Sequence, residues 1–110
     1  MVGKRGYHTT WEGNLCHYRS SYELDYMKEL DAQFIPYDYE ALKIPYFDST
    51  KNTMRTAIPD FYLPETKTIV EVKSIHTYER QNMIDRSCEY KRLGFNFLLI
   101  LEHIEFDYCV

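Results

Sequence analysis

At 110 residues the chain can enclose one hydrophobic core and not two, and a composition of 45% hydrophobic and 27% charged residues is that of a globular domain. No apolar run approaches bilayer length and no basic-then-apolar leader opens the sequence, so an intracellular, cytoplasmic protein without membrane contact is expected. The net charge of −4 argues mildly against a nucleic-acid binder, an objection that weakens if some carboxylates ligate a metal.

The elements follow in chain order. Residues 1–19 form an N-terminal arm and hairpin: "GKRGYH" has nothing obvious to pack on, and "TWEGNLCHY" turns around Gly13 and Asn14. "SSYELDYMKELDAQF" is a helix. Ser20 and Glu23 have capping-box spacing, and Glu23, Met27, Leu30 and Phe34 share one stripe. Three strands follow as a meander, through "YEALKIPYF", "RTAIPDFYL" and "KTIVEVKS", with a polar turn at "DSTKNT". A second helix runs from about Thr77 to Leu93 and stops at Gly94. "FNFLLIL" is apolar on both faces, as a covered central strand is. The order helix, strand, strand, strand, helix, strand predicts an α/β domain with a mixed central sheet flanked by helices, its core at residues 20–101 and a tail at 102–110.

The chemistry concentrates in "IPDFYLPETKTIVEVKS". With a tight turn at residues 64–67, Asp60 faces Glu71, Tyr62 faces Ile69 and Ile58 faces Lys73, which puts Asp60, Glu71 and Lys73 on one face. Opposed like charges destabilise a sheet, and a hard divalent cation such as Mg²⁺ is the simplest compensation. Lys73 beside it could lower the pKa of a water or stabilise charge on a phosphate. Two acids, a cation site and a lysine are the parts of phosphodiester hydrolysis. Arg80, Arg86, Lys91 and Arg92, with Lys4 and Arg5 in the arm, are candidates for gripping DNA phosphates.

Cys16, Cys88 and Cys109 are odd in number and lack CxxC spacing, so no disulfide framework is indicated. His8, Cys16 and His17 lack a fourth ligand at finger spacing, which sets zinc aside. The eleven tyrosines, six phenylalanines and one tryptophan could stack on bases but more commonly fill cores.

Pro59-Asp60 followed by Glu71-Val72-Lys73 resembles the signature of the PD-(D/E)XK nuclease superfamily, and the element order is similar to its restriction-endonuclease-like core. The block "YRSSYELDYMKELD" further resembles small phage and viral members, homing-type endonucleases and junction resolvases among them. The resemblance implies a metal-dependent DNA endonuclease using Mg²⁺ or Mn²⁺, with no organic cofactor, acting in the host cell of a phage or virus. It implies that Asp60 is the central metal ligand, joined by Glu71, the Val72 carbonyl and Glu23, that Lys73 activates water, and that Gln81 lines the site. One site cuts one strand, so a double-strand break calls for a homodimer or higher homo-oligomer, or for two nicks. The competing expectation is an inactive nucleic-acid or protein binding module on the same fold.

Overall fold

The structure, a computed structural model, describes residues 4–106. In chain order its elements are β1 (Gly6–Thr9), β2 (Leu15–Tyr18), α1 (Ser21–Ala32), β3 (Asp38–Tyr39), β4 (Ile44–Asp48), β5 (Thr53–Ala57), β6 (Phe61–Leu63), β7 (Thr68–Lys73), α2 (Arg80–Arg92), β8 (Asn96–Leu101) and β9 (Ile104–Phe106). A mixed five-stranded sheet in the order β3-β6-β7-β8-β9 forms the middle layer, and β7 and β8 are its parallel pair. Both of these strands have residues buried on each of their two faces, as central parallel strands do. Val70, Val72 and Ile100 pack with Phe61 against Tyr26, Met27 and Leu30 of α1. Ile69, Phe97 and Leu99 pack on the other side with Met83 and Tyr90 of α2. The domain is thus an α/β layering with one helix on each face of the sheet. Among the described residues no helix is long and apolar enough to cross a membrane.

Both helices begin and end for local reasons. Ser20 caps α1 by accepting the Glu23 N–H at 3.2 Å, and the Glu79 carboxylate caps α2 by accepting the N–H groups of Gln81 and Asn82. The second helix therefore starts at Arg80, three residues later than expected, after a turn in which Thr77 and Tyr78 donate to the Ser74 carbonyl. Its end has the expected glycine: Gly94 has φ +94, and Phe95 and Gly94 donate to the carbonyls of Tyr90 and Lys91. The first helix ends in the same pattern without a glycine. Phe34 takes the left-handed conformation (φ 55), and the Phe34 and Ile35 amides donate to Asp31 and Leu30. Phe34 consequently leaves the buried stripe, and its ring meets Trp11 edge-on instead.

Three expected elements differ. The single meander is two separate hairpins, because the chain breaks at Ile58-Pro59-Asp60: β4 and β5 pair only with each other, while β6 joins β7 in the main sheet. Pro59 is buried and offers no N–H to a ladder, which makes it the natural dividing point. The arm is not loose. Gly6, Tyr7 and His8 belong to β1, paired with β2, and His8 and the Trp11 amide bond to Asp31 of α1. The tail contributes β9, joined to β8 by the two-residue turn Glu102-His103, both at positive φ. The remainder of the expected tail, residues 107–110 with Cys109, lies outside the described residues.

Candidate active site

The β6–β7 ladder has the predicted register, Phe61 opposite Val70, Tyr62 opposite Ile69 and Leu63 opposite Thr68. Asp60 stands one residue before β6, where the chain leaves the ladder. The Val72 N–H, which a continuing strand would have paired through main chain, donates to Asp60 Oδ2 at 2.7 Å. On the other side, the Glu40 N–H donates to the Asp60 carbonyl at 2.9 Å. Asp60 is therefore fixed between the β3 end and β7 by one bond through its side chain and one through its backbone.

Glu23 reaches the same place from α1. It is 6% exposed, and its Oε1 accepts the Arg19 N–H and the Tyr39 hydroxyl, both at 2.8 Å. The capping role and the site role coincide here, since the acid that closes the helix start also lines a cavity of about 290 Å³ with Asp60, Lys73, Ser74, His76 and Thr77. Lys73 enters from the last position of β7, and its ammonium has no acceptor among the described residues. Withdrawal from water, then the charges of Glu71 and Glu23, push the Asp60 carboxyl well above the usual carboxylate range; Lys73 and the Val72 N–H oppose them without prevailing.

Glu71 does not line this cavity. Its side chain, 1% exposed, turns toward α2, where Oε2 accepts from Arg86 Nη1 and from the Tyr90 hydroxyl, each at 2.8 Å. Burial works against the Arg86 charge, but Glu71 and Tyr90 beside it raise its pKa, so the pair is an ion pair. The expected confrontation of Asp60 and Glu71 on one face is thus relieved by giving each acid its own partners. Their charges still act on one another, as the raised Asp60 pKa records.

The other expected residues lie apart. Gln81 is exposed on the first turn of α2 and donates to Asp85 at 2.9 Å, away from the cavity. Arg86 is occupied by Glu71, whereas Lys4, Arg5 and Arg80 are exposed. Sequence reasoning missed Tyr39, which orients Glu23, and Tyr90, which with Arg86 holds Glu71. Arg86 and Tyr90 are four apart on one helix face, a spacing that marks them as one unit once either is seen to point at the sheet. Ser74, His76 and Thr77, in the turn after β7, were also missed as cavity residues.

Among the described residues no three His, Cys, Asp or Glu side chains gather in a group that could hold a metal. Asp60 and Glu23 nevertheless line one cavity, and Mg²⁺ characteristically takes one or two carboxylates while keeping several waters and substrate phosphate oxygens. The donor set fits a hard, hydrated cation of that kind. No family model matches the chain, and neither a curated protein nor a solved structure is significantly similar to it.

Proposed function

We propose that this chain is a Mg²⁺- or Mn²⁺-dependent DNA endonuclease with a restriction-endonuclease-like core. The observation that carries the reading is the meeting of Asp60, Glu23 and Lys73 in one cavity, with Asp60 carrying a charge that its surroundings disfavour. An acid of that kind calls for a cation or a proton. Asp60 and Glu23 would hold the cation, which when bound supplies Lewis-acid polarisation of a phosphate.

The chain's own residues do the rest. The Val72 N–H keeps the Asp60 carboxylate turned into the cavity, and Tyr39 with the Arg19 amide does the same for Glu23. Lys73, with no acceptor of its own among the described residues, offers positive charge for the pentacovalent phosphate and an ammonium that can orient an attacking water. Glu71 contributes through its charge, because its carboxylate is already bonded to Arg86 and Tyr90.

A second reading, a binding module without catalysis, is favoured by that same engagement of Glu71, which leaves two acids rather than three at the cavity. Nicking of supercoiled plasmid separates the two. The endonuclease nicks with Mg²⁺ or Mn²⁺ and stops in chelator, Ca²⁺ supports binding with little turnover, and Asp60→Asn is inactive. Cleavage that persists in excess chelator, or no cleavage by folded parent protein with any of these metals, overturns the assignment.

A further inference from the structure

A second cavity, of about 470 Å³, lies between the β4–β5 hairpin and α2 and takes no part in the reading above. Three cations from three separate segments line it: Lys51 in the hairpin turn, Arg55 in β5 and Arg86 in α2. In a chain of net charge −4 this convergence runs against the overall balance. Both acids at the cavity already accept hydrogen bonds from their own surroundings, with Asp48 Oδ2 left over beside Arg55. Asp48 Oδ1 accepts the amides of Thr50 and Lys51 and the Thr50 hydroxyl, and the two Glu79 oxygens accept the first amides of α2. Arg55 reaches Asp48 Oδ2 only at 3.6 Å and is half exposed, and the Lys51 ammonium has no acceptor among the described residues. Arg86 spends Nη1 on Glu71, while its buried Nε has no acceptor at all among the described residues. A guanidinium donor left without an acceptor in the interior is costly, so Arg86 has hydrogen-bonding capacity that the described residues do not fill.

We propose that this cavity binds a phosphate group, held by Lys51, Arg55 and Arg86. The Arg55 guanidinium, the Lys51 ammonium and the donors of Arg86 not spent on Glu71 match the oxygens of a phosphate monoester or diester, and a cavity of about 470 Å³ has room for one. Both a nucleic-acid backbone and a terminal or free phosphate carry that chemistry. The site does not depend on hydrolysis at Asp60.

Isothermal titration of the full chain with inorganic phosphate tests it. Saturable one-to-one binding is expected, weakened about tenfold or more by Lys51→Gln and by Arg55→Gln, which remove exposed charges, and unchanged by Arg80→Gln or Asp60→Asn. A 5′-phosphorylated and a 5′-hydroxyl oligodeoxynucleotide then distinguish the source. Equal loss for both in Arg55→Gln identifies the diester backbone, and loss confined to the phosphorylated one identifies a terminal monoester. Oligonucleotide affinity indifferent to Arg55, with phosphate binding still lost in Arg55→Gln, identifies free phosphate, whereas absence of saturable phosphate binding or a loss as large in Arg80→Gln as in Arg55→Gln overturns the proposal. Because Asp60→Asn binds phosphate as the parent does, failure of cleavage and failure of this site are read separately.

Discussion

Arg86 Nη1 stands 2.8 Å from Glu71 Oε2, and the Tyr90 hydroxyl reaches the same oxygen at 2.8 Å, so the acid at the centre of the sequence motif is tied to α2. Arg86→Leu leaves a 1%-exposed carboxylate without its counter-ion and is expected to cost about 3–5 kcal/mol, measured by urea unfolding. Arg86→Leu combined with Glu71→Leu should recover most of that loss, short of what the abandoned Tyr90 hydroxyl costs. Equal instability of the single and double variants would show that Arg86 matters for packing rather than for the pair.

Asp60→Asn removes a charge the fold disfavours while keeping an acceptor for the Val72 N–H. Without metal it should raise stability at neutral pH by about 0.5–1 kcal/mol. The sign follows from linkage. The folded pKa lies above the ordinary value of 3.8, so between the two the native state holds more protons, and stability is fullest below 3.8 and declines as pH rises through the folded value. The variant should lose that decline. Mg²⁺ should raise the melting temperature of the parent by mass action and that of the variant much less. An inactive variant that melts well below the parent would refute the account of Asp60.

Lys73→Met should lower the melting temperature only slightly at neutral pH, since the ammonium has no hydrogen-bond acceptor among the described residues and what is lost is its charge beside Asp60. Cleavage under single-turnover conditions should fall about 10²–10³-fold, the usual cost of removing one charge-stabilising donor. The Mg²⁺-dependent melting shift should survive. Parent-like cleavage by this variant would remove Lys73 from the reaction.

Asp31 gathers three donors: His8 Nε2 at 2.6 Å, the Trp11 amide at 3.1 Å and the Tyr37 hydroxyl at 3.0 Å. Burial raises its pKa, but these bonds outweigh burial and hold it below 3.8. Its contribution is present above 3.8 and disappears as pH falls through the depressed value. Trp11, the one tryptophan, reports it, because its indole N–H donates to the Ile35 carbonyl at 2.8 Å. Asp31→Ala should cost about 1–3 kcal/mol and free the Trp11 fluorescence at neutral pH as acid does in the parent. Unchanged Trp11 emission in Asp31→Ala would show that the hairpin docks by other means.

The protein should be at least a dimer on DNA when it severs both strands, because each chain presents one candidate site. Light scattering on the Ca²⁺-arrested complex checks this. A strictly monomeric species that makes double-strand breaks without a nicked intermediate would contradict it.

The elements with full periods were legible in the sequence. α1 carried its capping serine, α2 its terminal glycine, β7 its alternation and β8 its continuous apolar run. β9 was not, because its turn is Glu102-His103, with neither the glycine nor the asparagine that positive φ ordinarily selects. The division between β5 and β6 was written in Pro59, yet the β-forming residues on both sides of it read as one strand. At the site, alternation placed Asp60 and Lys73 together, though with Glu71 beside them, and the family resemblance, with its place on the buried stripe of α1, pointed to Glu23. The partners of Glu71 could not, since Arg86 and Tyr90 are 15 and 19 residues away on a polar helix whose rotation about its axis only packing decides.

Of the six strand ladders among the described residues, four are hairpins with no helix or strand between the partners: β1–β2, β4–β5, β6–β7 and β8–β9. Such hairpins close on the microsecond scale with little loop entropy to overcome. Only β3–β6 and the parallel β7–β8 pairing bring distant segments together, and the latter cannot form until α2 has crossed the sheet. Capture of β8 by β7 is therefore the expected bottleneck of folding, and the same event seats Arg86 and Tyr90 on Glu71. The motif strand is completed last, so a chain caught before that step would have its hairpins but not the cavity that the β4–β5 hairpin forms with α2.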